Sequence, residues 1–176
     1  MAEEARFYTQ FQPNHYEVYL DINRETKIIS GKTTISGNAT NNAPLIHQKY
    51  LEVSEVLADG KNVAFTTDEK QEAIQIELAH PGEINLTITY TAPLTDSMMG
   101  IYPSYYTING EKKQLIGTQF ETTSARQAFP CVDEPEAKAT FDLAIKFDEQ
   151  AGETIIANMP EIKVENGVHY FDTTVK

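Results

Sequence analysis

The chain has 176 residues, with 14 Lys and Arg against 26 Asp and Glu, so it carries a formal net charge of −12 at neutral pH. Such a surface repels phosphate backbones and anionic lipid, which excludes nucleic-acid binding through a basic patch and electrostatic attachment to a membrane. With 40% hydrophobic and 23% charged residues, 9 Tyr and 8 Phe, the chain reads as one globular domain with its own core.

No run of about 18 apolar residues is present, so no helical membrane span is expected. The opening MAEEARFYTQF brings acids early and lacks an apolar h-region, so it does not read as a signal peptide. The single cysteine, Cys131, has no internal disulfide partner. Together these predict a cytoplasmic protein. On that reading the sequons Asn38-Ala39-Thr40 and Asn85-Leu86-Thr87 are chance.

In chain order, the first strand is Tyr16 to Ile22, where Tyr16, Val18, Leu20 and Ile22 alternate onto one face. Ile29, Gly31, Thr33, Ile35 and Gly37 repeat the period more weakly. Leu51, Val53, Val56 and Leu57 mark a third apolar stretch, and Asp59-Gly60 predicts a hairpin into Val63-Ala64-Phe65. Ile74, Ile76 and Leu78 alternate, as do Ile84, Leu86, Ile88 and Tyr90, with the turn His80-Pro81-Gly82 between them. Tyr105 to Ile108 runs into Asn109-Gly110 and then Lys113 to Phe120, a second hairpin. Phe141, Leu143, Ile145 and Phe147 form the most regular strand. Alternation still runs at Tyr170, Asp172 and Thr174, which reads as a cut inside a larger protein.

Helix signals are few. Ser124 to Ala128 is the best, and Pro130 ends it quickly. A short turn is expected over Glu134 to Lys138, with Pro135 at its start. Many short strands joined by turns predict an all-β fold: an antiparallel β-sandwich or a curved, saddle-like multi-sheet domain with only short helical turns.

Several chemistries lack their residues. The four histidines, His15, His47, His80 and His169, fall in no metal-ligand spacing, and there is no H-E-x-x-H, no G-x-S-x-G and no phosphate-cradling glycine loop. Each histidine reads as a surface or hydrogen-bonded core residue. From these residues alone the chain does not read as an enzyme.

The informative stretch is Gln119 to Phe141. Gln119 and Glu121 are two apart on an expected strand, so both side chains are expected on one face with Phe120 turned into the core. An amide beside a carboxylate can grip an ammonium group, but the same pair also suits a solvated strand face. Arg126 with Asp133 and Glu134 reads as a structural ion-pair cluster, and Cys131 as a small buried hydrophobe.

These residues carry a resemblance. Pro13-Asn14-His15-Tyr16, Gly100 to Tyr106, Gln119-Phe120-Glu121, Ala125-Arg126, Phe129 to Pro135, Lys138 to Phe141 and Asn158-Met159-Pro160 together resemble the N-terminal domain of the aminopeptidase N family of zinc metallopeptidases, of gluzincin type, in its bacterial form. Thr122, Ser124 and Pro103 depart from the Pro, Asp and Arg common in relatives, which bears on local turn geometry. The resemblance implies that residues 1–176 are the N-terminal β domain of a larger aminopeptidase. The zinc ligands and catalytic machinery would lie in a following domain absent from this chain, so the chain itself would need no cofactor and would be inactive alone. The implied partners are that catalytic domain and the N-terminus of a peptide substrate. Glu121 would help bind the substrate α-ammonium, and Gln119 would line the pocket for the first side chain. The alternatives are a family relative without peptidase activity and a free-standing β-sandwich interaction module.

Overall fold

The computed structural model describes residues 6–176. The reading of the N-terminus as no signal peptide falls partly on residues 1–5, which lie outside them. The described chain forms thirteen strands in three sheets, with single 3-10 turns at Phe7–Thr9 and Ala125–Gln127. All-β architecture with only short helical turns is therefore the fold.

The large sheet contains β1 (Phe11–Asn23), β2 (Ile28–Ala39), β4 (Glu52–Ala58), β5 (Lys61–Asn62), β8 (Gly82–Pro93), β11 (Thr140–Phe147), β12 (Glu161–Glu165) and β13 (Val168–Phe171). Its order is β12-β13-β11-β1-β2-β8-β4-β5. A second sheet has the order β3 (Leu45–His47), β7 (Ala73–Ile76), β6 (Phe65–Asp68), and β9 (Gly100–Ile108) pairs with β10 (Glu111–Gln119) as a two-stranded ribbon.

Period-two patterning sets which face is buried. Tyr16, Val18, Leu20 and Ile22 of β1 lie opposite Ile35, Thr33, Gly31 and Ile29 of β2, which in turn lie opposite Leu86, Ile88, Tyr90 and Ala92 of β8. One apolar cluster joins this inner face to Ile46, Ile74 and Ile76 of the second sheet, so the two sheets share a core. Gly31 is required by its neighbour: a Cβ there would sit 2.2 Å from Tyr90 Cζ, so the missing side chain is what admits the buried ring.

Some expectations change in detail. β1 and β11 pair in parallel, with Tyr16 opposite Phe141, so the large sheet is mixed rather than purely antiparallel. A long crossover separates these strands in sequence, and no tight turn dictates their direction. Asp59-Gly60 does turn the chain, with φ of 49° and 76°, but the returning strand is Lys61-Asn62, and Phe65 starts β6 in the other sheet. Asn109-Gly110 makes the expected tight turn, with φ of 52° and 83°. The same dipeptide at Asn166-Gly167 closes the β12–β13 hairpin, which the reading above passed over. Leu78 is buried but lies just past the end of β7.

Candidate functional site

β10 ends at Gln119, which pairs with Gly100 at the base of the ribbon. The chain then turns. Phe120 is half-buried and meets the ring of Phe129 edge-on at 5.9 Å. Glu121, Thr122 and Thr123 form an exposed turn closed by the Ser124 amide donating to the Phe120 carbonyl at 2.8 Å. The Glu121–Thr122 peptide bond is cis.

The shared-face expectation for Gln119 and Glu121 is therefore corrected: the strand stops before Glu121, and strand alternation does not place its side chain. Instead, Gln119 Oε1 accepts a hydrogen bond from the Glu121 backbone N–H at 3.2 Å. The amide oxygen is spent on holding the turn, and both side chains are exposed. Phe120 does turn inward as expected. Neither principal groove among the described residues, one along the β6–β7 hairpin and one beside Phe129 and Phe141, is lined by Gln119 or Glu121. A carboxylate exposed in this way interacts weakly with a cation in water, and among the described residues no enclosed site surrounds it.

Behind the turn lies a firm base. Arg126, in the second 3-10 turn, sets Nε 3.0 Å from Asp133 Oδ2 and Nη1 3.1 Å from Glu72 Oε2. Glu72 also pairs with Lys49, whose backbone N–H donates to the Arg126 carbonyl at 2.8 Å. Burial alone would raise the Glu72 pKa, but the hydrogen bonds and charges of Lys49 and Arg126 outweigh it and leave the carboxyl below its usual range. The structural ion-pair reading of Arg126 and Asp133 agrees with this geometry. Glu134 is not part of it. Its Oε1 accepts from the Phe7 and Tyr8 backbone N–H groups at 2.6 and 3.2 Å, where a carboxylate suits the start of the first 3-10 turn.

His47 lies under this network. Its ring stacks on Phe7 at 3.9 Å, and Nδ1 accepts from the Asp133 backbone N–H at 3.1 Å. Burial, together with the nearby Arg126 cation, lowers its pKa to about 3. Cys131, bridged to His47 through backbone hydrogen bonds, is buried, and burial pushes its thiol pKa well up. It behaves as a small core side chain rather than a nucleophile.

Three buried polar residues near the turn escaped the sequence reading: Thr95, Ser124 and Gln127. Ser and Thr are ordinary turn residues and Gln is ordinarily solvated, so type alone carries no signal. Gln127 and Thr95 both lie against Gly100, which is far from Gln127 in sequence and adjacent in space.

Among the described residues no group of three or more His, Cys, Asp and Glu is arranged to hold a metal ion. The histidines are engaged separately: His15 with Thr140, His47 with Asp133, His80 with the Pro81 carbonyl and His169 with Glu149 and Glu161.

Comparison with known proteins gives a consistent result. The chain is 60% identical over 171 residues to aminopeptidase N of Lactobacillus delbrueckii subsp. lactis, which covers 97% of this chain and 20% of that protein. It is 57% identical to aminopeptidase N of Lactobacillus helveticus, with the same shares covered. It is also 34% identical to endoplasmic reticulum aminopeptidase 1 of Rattus norvegicus, over 93% of this chain and 20% of that one. The chain thus spans about a fifth of the length of these relatives. The Peptidase M1 N-terminal domain matches over residues 12–176, nearly the whole chain, and the chain belongs to that family.

Proposed function

We propose that this chain is the N-terminal β domain of a zinc-dependent aminopeptidase that releases N-terminal amino acids from peptides. The observation that carries this reading is the match over residues 12–176 together with relatives named aminopeptidase N, of which the chain makes up a fifth. Among the described residues no group of histidines and carboxylates is arranged to hold a zinc ion. The metal and the hydrolytic step would belong to the catalytic domain of the parent, and this chain's role is to position substrate.

Glu121 is the group suited to that role. An exopeptidase must recognise a chain terminus, and a carboxylate does so by accepting hydrogen bonds from the substrate α-ammonium. Gln119, at the end of β10 beside it, would border the space for the first side chain. The ribbon supports packing against a catalytic domain. On the strand face shared with Gln119, Leu115, Tyr106 and Ile108 are 48%, 48% and 52% exposed, interleaved with Glu111 and Lys113, a mixed face that a neighbouring domain could cover.

The test is steady-state kinetics of the full-length parent. A charge-assisted hydrogen bond is worth roughly 1.5–3 kcal/mol once enclosed, so Glu121→Gln should lower kcat/KM by about 10- to 150-fold. The loss should fall on substrates with a free α-ammonium. Retention of kcat/KM within about twofold, with an unchanged thermal melt, would show Glu121 to be a solvated turn residue.

A further inference from the structure

We infer that Gln127 is a positioning residue for the turn that carries Glu121, an inference that rests on the reading of Glu121 as the substrate anchor. Gln127 is only 9% exposed, although it belongs to a residue type that normally keeps its amide in water. Its Nε2 donates to Ser124 Oγ at 3.3 Å, and its Oε1 is buried with no partner among the described residues. Turning the amide end for end exchanges the two atoms but still leaves one end unpaired. A buried, half-satisfied amide costs stability, and an apolar side chain of the same shape would avoid that cost. Packing alone would not select an amide here.

Its position supplies the reason. Ser124 closes the Glu121 turn through its backbone N–H, and the side-chain hydroxyl of the same residue is what Gln127 holds. On its other side Gln127 packs against Gly100, where an added Cβ would lie 3.0 Å from Gln127 Cβ. Gly100 is the register partner of Gln119, and its φ of 72° suits glycine. Gln127 thus touches both ends of the segment: the residue opposite Gln119 on the ribbon and the residue that ends the turn. With Gln119 Oε1 bonded to the Glu121 N–H, the backbone of Glu121 is held from the strand side and its turn from behind. A carboxylate on a free turn would lose orientational entropy on binding an ammonium, and the brace removes part of that loss in advance.

Gln127→Met in the full-length protein separates positioning from structure, because Met fills the same space without the amide. The thermal midpoint should stay at or above that of the unmodified protein. Hydrolysis of an amino-acid 4-nitroanilide should lose about 3- to 10-fold in kcat/KM, mainly through KM, the range for one neutral hydrogen bond. In a Glu121→Gln background the same change should cost less than about twofold, since the group being positioned is gone. Hydrogen exchange in a peptide covering residues 119–128 should quicken at least about fivefold, with β2 and β8 unaffected. Additive losses in the double variant, a kcat/KM loss that follows a fall in thermal midpoint, or unchanged exchange at residues 119–128 would each overturn the inference. Should Glu121→Gln alone be silent, the anchor reading fails, and exchange by itself decides whether Gln127 braces the turn.

Discussion

His47 predicts a specific acid weakness. In the folded chain its pKa is about 3, with burial the leading cause and Arg126 the second. In the unfolded chain it returns to about 6.5. The unfolded state therefore takes up a proton as pH falls through 6.5, while the folded state refuses one until near 3. The stability that neutral His47 permits is fully present above pH 6.5 and is lost as pH falls toward 3. The gap is 6.5 − 3 = 3.5 units, or about 5 kcal/mol at roughly 1.4 kcal/mol per unit, comparable with the whole stability of a small domain. Other groups leave a clear window. His169 has its pKa raised by its hydrogen bond to Glu161, so its contribution is complete below 6.5 and is lost only as pH rises through its folded pKa. Glu72 and Glu153 are lowered, so their contributions begin to fall only near the ordinary carboxylate range. Between pH 6.5 and 4.5 His47 should dominate, with a loss of about 2–3 kcal/mol. Urea unfolding at half-unit pH intervals measures it. His47→Gln keeps an acceptor for the Asp133 amide and cannot titrate, so it should flatten that slope. Parallel losses in the two proteins across the window would refute the reasoning.

Two further perturbations test the core and the ion-pair base. Gly31→Ala places a methyl 2.2–2.5 Å from Tyr90 Cζ, Cε2 and Oη, and the ring is only 1% exposed, so it should cost about 3 kcal/mol in a thermal or urea melt, with partial recovery in Gly31→Ala/Tyr90→Leu. A loss below about 1 kcal/mol would mean that the ring moves aside freely. Arg126→Leu strands the Asp133 carboxylate, whose side chain is 11% exposed, and should cost about 3 kcal/mol by urea unfolding at pH 7. A loss below about 1 kcal/mol would mean that the pair contributes no more than an exposed one.

Strands with one buried face were legible because alternation records burial directly. Tyr16 to Ile22 and Ile84 to Tyr90 sit where the pattern placed them, with every apolar member buried. The turns Asp59-Gly60 and Asn109-Gly110 were legible because positive φ selects those residues. Direction and partner were not: the parallel union of β1 with β11 and the transfer of Phe65 to another sheet are decided by packing across the fold. β11 is half-buried on both faces, so its regular sequence said nothing of its neighbours.

At the candidate site the geometry of the turn was not legible. Thr122-Thr123-Ser124 is a run of turn-forming hydroxyl residues, and reading it would have ended the strand before Glu121. Gln127 offered no such signal, because a residue it packs against, Gly100, is distant in sequence. The position of Glu121 also bears on the magnitude asked of it. Exposed as it is on this chain, a carboxylate holds an ammonium by at most about 1 kcal/mol. A 10-fold or larger effect requires about 1.4 kcal/mol or more, which an aqueous pair does not supply. The difference must come from excluding water, and among the described residues nothing covers the turn. If the proposed anchor role holds, the size of the Glu121→Gln effect in a full-length parent therefore measures how completely a catalytic domain closes over this turn.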